Sequence, residues 1–156
     1  METVGLGFYF EDLPMGRKFK TVGRTITEVD IVNYVNCVGL TEVMFTDLEY
    51  VAKDAAVNVR FAPAALAYGI SEGLLVQSTM QHTALAFLHM ELNVHKPTLA
   101  GDTIHVEVEV IEARVSKSRP DRGLVRTKNE IVKQDGTIVI TYTPLRLVKL
   151  REPKAQ

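Results

Sequence analysis

Cysteine is almost absent from this chain, and that absence limits its chemistry. Among 156 residues only Cys37 carries a thiol, so the chain can form no intrachain disulfide and no zinc site with several thiolates. The formal net charge of -1, from 18 Lys and Arg against 19 Asp and Glu, gives no bulk attraction to nucleic acid. No apolar run reaches the ~18 residues of a membrane-spanning helix, and Met1 to Asp12 lacks a basic patch. We therefore predict a soluble cytoplasmic protein that binds neither nucleic acid nor membrane.

The residues that usually hold metals also lack the spacing of a metal site. The chain has four histidines: His82, His89, His95 and His105. None of them is spaced from another as metal ligands are on a helix or in a loop. Cys37 lies beside Val38 on a predicted helix, where a packed thiol is expected. We predict no metal and no other cofactor.

Apolar residues are abundant. They make up 46% of the chain, which is enough for a hydrophobic core at this length. No internal repeat or low-complexity tract divides the sequence. We therefore predict a single domain over residues 1–156.

An amphipathic helix is predicted between Thr25 and Gly39. Thr27 and Asp30 have the spacing of an N-terminal cap followed by an acidic third residue. A broad apolar stripe follows, made of Ile31, Val32, Tyr34, Val35 and Val38. Gly39 is a typical C-terminal stop. A short second helix is expected from Asp47 to Ala52, with Asp47 at its first position.

A longer and more apolar helix is predicted from Pro63 to about His82. Proline suits the first turn of a helix because its missing N–H would have no partner there. The helix has no clean polar face, and Gly69 and Gly73 are predicted to allow close backbone approach. We expect it to be buried against a sheet.

The second half of the chain is predicted to supply that sheet as an antiparallel meander. The predicted strands are Ala84 to Lys96, Thr103 to Arg114, Leu124 to Lys133 and Thr137 to Lys149, with a shorter one near Phe19 to Ile26. Pro144 lies inside the last of them and predicts a bulge or an edge. The predicted fold class is α+β, with an antiparallel sheet of about five strands wrapped around one long apolar helix.

Three stretches of the chain carry a family likeness. They are Phe10 to Leu13 with Gly16, Gly23 to Val32, and Lys96 to Ile104. They resemble the MaoC-like dehydratase and R-specific enoyl-CoA hydratase family, and the likeness covers nearly the whole chain. The resemblance implies the hot-dog fold, a place in fatty acid metabolism, and a homodimer or a dimer-based higher oligomer. It also implies addition of water to an enoyl-CoA, or its removal from a 3-hydroxyacyl-CoA.

The loop after Gly39 departs from that family where its chemistry is expected. The family's signature reads Gly-Asp-x-Asn-Pro-Leu/Ile-His-x-Asp, in which the first Asp and the His act on water and the substrate carbons. The matching stretch runs from Gly39 to Asp47, with Leu40 and Phe45 in the two proton-transfer positions. Neither side chain can move a proton. The chain therefore resembles the family's scaffold without its catalytic pair.

Two hypotheses keep this chain an enzyme. In the first, Glu42 replaces the lost acid as general base, with Thr41 and Asp47 as nearby polar groups. In the second, Glu72 on the long helix is the base of an acyl-CoA thioesterase. A rim or dimer-contact carboxylate is the alternative for Glu72, because carboxylates are rarely buried without a partner.

A third hypothesis is an acyl-CoA binding protein without turnover. In this case Leu40, Phe45 and Leu66 line an apolar acyl pocket. The thioester oxygen would be bound in any of these cases by backbone N–H groups at the start of the long helix, at Ala64 and Ala65. Basic side chains are expected to bind the CoA phosphates. They are Arg60, Arg114, Lys117, Arg119 and Arg122.

Overall fold

The part of the chain that the structure describes has four α-helices, one narrower 3₁₀ turn and one wider π-helical turn. The computed structural model describes residues 1–152. The helices are α1 (Glu28–Val38), α2 (Val43–Thr46), α3 (Leu48–Asp54) and α4 (Ala64–Leu75), with a 3₁₀ turn at Phe10–Asp12 and a π-helical turn at Val76–Met80. Within this described part of the chain, no helix is both long enough and apolar enough to cross a membrane.

Residues 1–152 contain ten strands, and every pairing between them is antiparallel. They are β1 (Lys18–Lys20), β2 (Arg24–Thr25), β3 (Phe61–Ala62), β4 (Ala84–His89), β5 (Leu92–Val94), β6 (Thr98–Leu99), β7 (Thr103–Val115), β8 (Arg122–Lys133), β9 (Ile138–Tyr142) and β10 (Leu145–Lys149). β3 and β6 pair with each other, and the other eight strands form one sheet. The α+β class is confirmed.

The long strands β7 and β8 form the centre of the sheet. β1 and β2 pair with β7, and β10 and β9 pair with successive halves of β8. β4 continues the sheet beyond β10, and β5 continues it beyond β9. Because β4 pairs only with β10, it is a free edge of the sheet in this chain. The inward side chains of β7 are Ile104, Val106, Val108 and Val110, as its alternation predicts.

The prediction of about five strands was too low. Three predicted strands are each divided in two, including the short one near Phe19 to Ile26, which becomes β1 and β2, and the short pair β3 and β6 was not predicted. The run Ala84 to Lys96 is divided into β4 and β5, and the run Thr137 to Lys149 into β9 and β10. The second interruption falls at Pro144, which has no N–H to donate to a ladder. Its carbonyl instead accepts a hydrogen bond from the Thr127 N–H at 3.2 Å. The pairing along β8 therefore passes from β9 to β10 at the proline, where the sequence predicts a bulge or an edge.

One face of α4 packs into the core, and the other is exposed. The buried residues of the helix are Leu66, Ala67, Ile70, Ser71, Leu74 and Leu75. The predicted close approach at Gly69 and Gly73 is wrong within this chain, since a Cβ added at either position would meet no atom within 4 Å. Both glycines lie on the exposed face. The helix is also shorter than predicted, because the backbone changes to a π-helical turn after Leu75.

Helix α1 is capped as the sequence predicts. The Thr27 hydroxyl accepts the Asp30 N–H and the Asp30 carboxylate accepts the Thr27 N–H, while Gly39 ends the helix with φ of 69°. Two of the predicted stripe residues, Val32 and Val38, are exposed. Cys37 is also exposed, so the prediction of a packed thiol is wrong. A helix on the surface of a core buries only one side, and position 37 lies on the other.

Candidate active site

A cavity of about 310 Å³ lies at the first turn of α4. The ladder between β3 and β6, which pairs Phe61 with Leu99 and Ala62 with Thr98, forms one side of it. Ile140 and Val94 come from the neighbouring strands β9 and β5. Most of the wall is therefore apolar.

The start of α4 presents backbone donors at this cavity. The Pro63 carbonyl accepts hydrogen bonds from Leu66 at 2.9 Å and from Ala67 at 3.3 Å. The N–H groups of Ala64 and Ala65 precede these donors and have no intrahelical acceptor, as in any first turn. Ala64 lines the cavity and Ala65 does not, although both residues are exposed. A negatively charged oxygen beside Ala64 would also lie at the positive end of the helix dipole.

His95 is the histidine that lines this cavity, although no sequence pattern singled it out. It follows β5, and its backbone N–H donates to the Val139 carbonyl at 2.8 Å. Its Nε2 lies 3.0 Å from the Thr141 hydroxyl, which orients the ring. The sequence places His82 and His89 nearer than His95 to the predicted long helix, but neither of them lines this cavity. Only the pairing of β5 with β9 distinguishes His95, and that pairing is a tertiary contact.

The acids of the loop after Gly39 are occupied by local helix capping. The Glu42 carboxylate accepts the Met44 N–H at 2.7 Å and caps α2, a helix that was not predicted. Asp47 caps α3 by accepting from Glu49 and Tyr50. Glu42, Asp47 and Thr41 are all exposed, and none of them lines the cavity. The expectation that Glu42 turns inward as a base therefore disagrees with the structure.

The predicted acyl-pocket residues do not line the cavity either. Leu40 is 38% exposed on the surface. Phe45 is 9% exposed and belongs to the core, where its ring centroid lies 5.4 Å from that of Phe61. Leu66 is likewise a core residue. The short helix α2, where an open loop was expected, turns Phe45 into the core. Phe45 therefore contacts Phe61, which lines the cavity, but does not line the cavity itself.

Glu72 is held in a buried ion pair. Its carboxylate accepts the Tyr142 hydroxyl at 2.8 Å and Arg146 Nη2 at 2.7 and 2.6 Å. The side chains of Glu72 and Arg146 are only 18% and 9% exposed. Burial and the adjacent Glu72 charge raise the pKa of Tyr142 far above its usual value. A carboxylate with a cation and a hydroxyl donor is not free to act as a base, which contradicts the thioesterase hypothesis.

Four of the basic residues predicted to bind CoA lie together at the β7–β8 hairpin. Arg114, Lys117, Arg119 and Arg122 line a second cavity of about 480 Å³. Arg114 pairs with Glu112 at 2.9 Å, and Arg122 pairs with Asp121. We call this the basic cavity. Its role in CoA binding stays a prediction.

The basic cavity is distant from the start of α4 within one chain. Leu124 lines the basic cavity, and Ile131, seven residues along β8, is the ladder partner of Ile140 in the cavity at α4. That separation is roughly 23 Å at the usual rise of a strand. Arg60 lies at the other end of this span, where it pairs with Glu28 at 3.0 Å and donates to the Phe45 carbonyl. The five predicted residues therefore do not form one site.

The structure offers no metal centre in the part that it describes. Within residues 1–152, no three His, Cys, Asp or Glu side chains lie close enough together to hold a metal ion. His105 pairs with Glu107 at 3.2 Å, and His89 approaches Arg126 at 3.5 Å.

Solved structures share this architecture. A MaoC-like dehydratase from Rhodospirillum rubrum matches with a TM-score of 0.81 and 28% identity, over 94% of this chain and 99% of that one. A putative MaoC domain dehydratase from Chloroflexus aurantiacus matches with a TM-score of 0.89 and 24% identity, over 100% of this chain but 44% of that one. A Mycobacterium tuberculosis protein described as having a double hotdog fold matches with a TM-score of 0.80 and 21% identity, over 99% of this chain and 47% of its own. The hot-dog fold is confirmed.

The sequence itself matches a family model over most of its length. That model is the FAS1-like dehydratase domain region, and it covers residues 14–142. No curated protein matches the chain. The matched region contains the cavity at α4, the loop after Gly39 and the long strands of the sheet. The chain therefore belongs to the FAS1-like dehydratase domain family, within the MaoC-like hot-dog dehydratases.

Proposed function

We propose that this chain is the thioester-binding hot-dog domain of a MaoC-like hydratase or dehydratase, and that a second hot-dog domain supplies the acid–base pair. The substrate class is an enoyl-CoA or a 3-hydroxyacyl-CoA. One observation carries the proposal: the cavity at α4 has an apolar wall and the Ala64 N–H, while the loop that should add proton-transfer groups carries Leu40 and Phe45. These features would serve thioester binding, whereas the acid–base pair that turnover needs would have to come from elsewhere.

The reaction divides into parts that this chain can and cannot supply. Hydration adds hydroxide at C3 and a proton at C2, and negative charge builds up on the thioester oxygen between these steps. The Ala64 N–H and the dipole of α4 would stabilise that charge. A base for the water and an acid for C2 are also needed. Glu42 and Asp47 accept backbone N–H groups instead, so the chain contributes binding and polarisation.

The surface of the chain supports pairing with another hot-dog domain. The free edge β4 exposes Leu85, Phe87 and Leu88. Beside it, α4 exposes Gly69 and Gly73, small residues that would admit another helix closely. An unpaired apolar edge strand is normally covered by another chain or domain. The Chloroflexus and Mycobacterium chains are each about twice as long as this one, and the latter is a double hotdog.

Such pairing would also bring the basic cavity to a thioester site. Ala84, at the start of β4, lies on the side of the basic cavity, and β4 runs from there towards β5 and the cavity at α4. If β4 pairs antiparallel with the equivalent strand of a partner, opposite ends of the two domains meet. The basic cavity of one domain then faces the α4 start of the other. Lys117 and Arg119 would bind CoA phosphates across this interface.

A second candidate function is favoured by His95. A homodimer in which His95 itself moves the proton needs no other domain, and its ring is already oriented by Thr141. This candidate lacks a second titratable partner with the geometry of the family's pair. It predicts turnover by the purified chain alone.

Binding of crotonyl-CoA by an Ala64→Pro variant tests the proposal. Proline at the first helical position removes the N–H without breaking the helix, and Pro63 already has the extended backbone, with ψ of 136°, that a following proline requires. We expect crotonyl-CoA to raise the Tm of the wild-type chain more than CoA alone does. The variant should lose about tenfold in affinity for the thioester, the value of one charge-assisted hydrogen bond.

Ala64→Ser is the matched control, because it keeps the N–H and should bind normally. The purified chain should not consume the crotonyl-CoA double bond, measured by its ultraviolet absorbance. If CoA and crotonyl-CoA stabilise the chain equally, the thioester site is not at α4. Turnover by the chain alone that is lost in His95→Gln would replace the proposal by the second candidate.

A further inference from the structure

A small cavity at the other end of α4 has no part in the proposed function. It holds about 40 Å³ of space between the end of the helix and the sheet. Leu75 and Met80 form its helical side, and Val108 and Val125 its sheet side. Phe8 closes it, held in place because the Phe8 N–H donates to the Thr79 carbonyl at 2.8 Å.

Three polar side chains face this apolar cavity without internal partners. Thr83, Thr127 and Asn129 are 1%, 7% and 0% exposed. Within residues 1–152, neither threonine hydroxyl has a hydrogen-bond partner, and neither polar atom of the Asn129 amide has one. Asn129 lies near the Tyr142 hydroxyl but does not meet hydrogen-bond geometry with it. Native proteins rarely bury such groups unless something pairs with them.

The charges around the cavity exclude an ionic ligand. Arg146 is the charged side chain in its wall, and Glu72 already neutralises it at 2.6 Å. An ion bound here would have no counter-charge, which is unfavourable in an apolar interior. A neutral carbonyl or carboxamide suits the wall better, because Asn129 presents one donor and one acceptor group beside two hydroxyls.

The volume of the cavity limits the size of the ligand's polar head, and the groove at its entrance indicates what kind of body is attached to that head. About 40 Å³ corresponds to roughly three water positions, which is room for a small head group. Met80, Ala84 and Arg146 are shared with a shallow groove between α4 and β4, whose other residues include Val76 and Phe87. The inner end of the groove, at Met80 and Ala84, is apolar and would accommodate a short hydrocarbon body. The outer part, at Leu85 and Phe87, is the surface that the second hot-dog domain proposed above would cover.

We propose that this cavity is a binding site for a small uncharged molecule with a carbonyl or carboxamide head and a short apolar body. The head pairs with Thr83, Thr127 and Asn129, and the body leaves past Met80 and Ala84 into the groove. The inference is independent of thioester binding at the start of α4, since the two cavities have no residue in common.

Titration of the full-length ¹⁵N-labelled protein with propionamide tests this site. The reporter is the side-chain amide resonance of Asn129, assigned by triple-resonance methods. We expect a saturable shift of that resonance with a dissociation constant in the millimolar range, and a smaller response to xenon, which has no polar head. Thr127→Val should weaken propionamide binding by about tenfold, because it removes one hydrogen bond without changing shape.

Thr21→Val is the matched control. The Thr21 hydroxyl is buried but satisfied, since it accepts the Val106 N–H and donates to the Val22 carbonyl. Its loss should lower the Tm and leave propionamide binding intact, whereas Thr127→Val should keep or raise the Tm and lose binding. No saturable shift, equal binding of xenon, or unchanged binding by Thr127→Val would each overturn the proposal. So would a fall in Tm of Thr127→Val as large as that of Thr21→Val, because the hydroxyl would then be structural.

Discussion

Glu42 and Glu72 are both acids that the sequence places near a thioester site, yet the fold uses them in opposite ways. Glu42 is exposed and accepts a single backbone N–H at the start of α2. Glu72 is half-buried between α4 and the sheet, paired with Arg146 and hydrogen-bonded to Tyr142. One carboxylate is held locally by its own loop, and the other by residues about seventy positions away in sequence. Neither is free to abstract a proton, for different physical reasons.

The difference between Glu42 and Glu72 indicates where the stability of this protein depends on charge. Water already solvates an exposed carboxylate, so its removal costs little. A buried carboxylate depends on its partner, because the interior offers no replacement for water. The expected effects of three changes therefore decrease from the interior to the surface.

Arg146→Met should have the largest effect. It leaves the Glu72 carboxylate buried without a cation, so we expect the free energy of unfolding to fall by about 3 kcal/mol. Urea denaturation followed by circular dichroism measures this loss. The double variant Glu72→Gln with Arg146→Met should recover much of it, because no charge is then left unpaired. A loss below about 1 kcal/mol in the single variant would show that the pair is effectively solvated.

Acidification should have an intermediate effect, through Asp102. This buried carboxylate pairs with Lys133 at 2.8 Å and accepts the Leu99 N–H at 2.7 Å. Burial acts to raise the pKa of Asp102, but Lys133, the Leu99 N–H and Gln134 together lower it below the usual value. The folded state therefore binds its proton less readily than the unfolded state does. The resulting stabilisation is present above the unfolded pKa and is lost as the pH falls through the folded one.

We expect the part of the unfolding free energy that depends on Asp102 to be lost as the pH falls from the usual Asp pKa of about 4 towards about pH 2. Urea titrations across this range compare the wild type with Asp102→Asn. The difference in stability between the two proteins should shrink as the pH falls, since both then carry a neutral side chain. A constant difference would assign the effect of the variant to packing instead of charge.

Glu42→Gln should have the smallest effect. The amide oxygen still caps α2, so we expect a loss of about 0.5 kcal/mol or less in unfolding free energy. Stabilisation by crotonyl-CoA should be unchanged, because Glu42 does not line the cavity at α4. Glu91→Gln, at another exposed acid, is the control for loss of surface charge. Loss of thioester binding in Glu42→Gln alone would restore Glu42 as a site residue.

The fold was predictable to the extent that it depends on local patterns. The cap of α1 at Thr27, its stop at Gly39 and the alternation of β7 each depend on neighbours within a few residues, and all are found. The sequence predicted only one of the two interruptions in the predicted strands Ala84 to Lys96 and Thr137 to Lys149. Pro144 predicted the interruption between β9 and β10. The interruption between β4 and β5 has no such signal, because it arises where β4 pairs with β10 and β5 pairs with β9.

The site was less predictable, because side-chain direction depends on tertiary contacts. Leu40 and Phe45 were identified by alignment with a motif, but their opposite burial depends on α2, a one-turn helix with little sequence signal. His95 had no distinguishing pattern, and only the cavity at α4 separates it from the other histidines. The basic residues near Gly123 were correctly seen as neighbours in the chain. Their distance from α4 required the sheet register.

The sequence by itself determined the class of the fold and the family resemblance, and it predicts that Leu40 and Phe45 replace the usual catalytic pair, because these depend on residue identity and short-range spacing. The tertiary structure decided which groups are available for chemistry. It assigned Glu42 to a helix cap and Glu72 to an ion pair, and it left Ala64 and His95 at one cavity and Thr127 and Asn129 at another. A polar group can act only if its donors and acceptors are not already satisfied, and that balance is set by residues far apart in the chain.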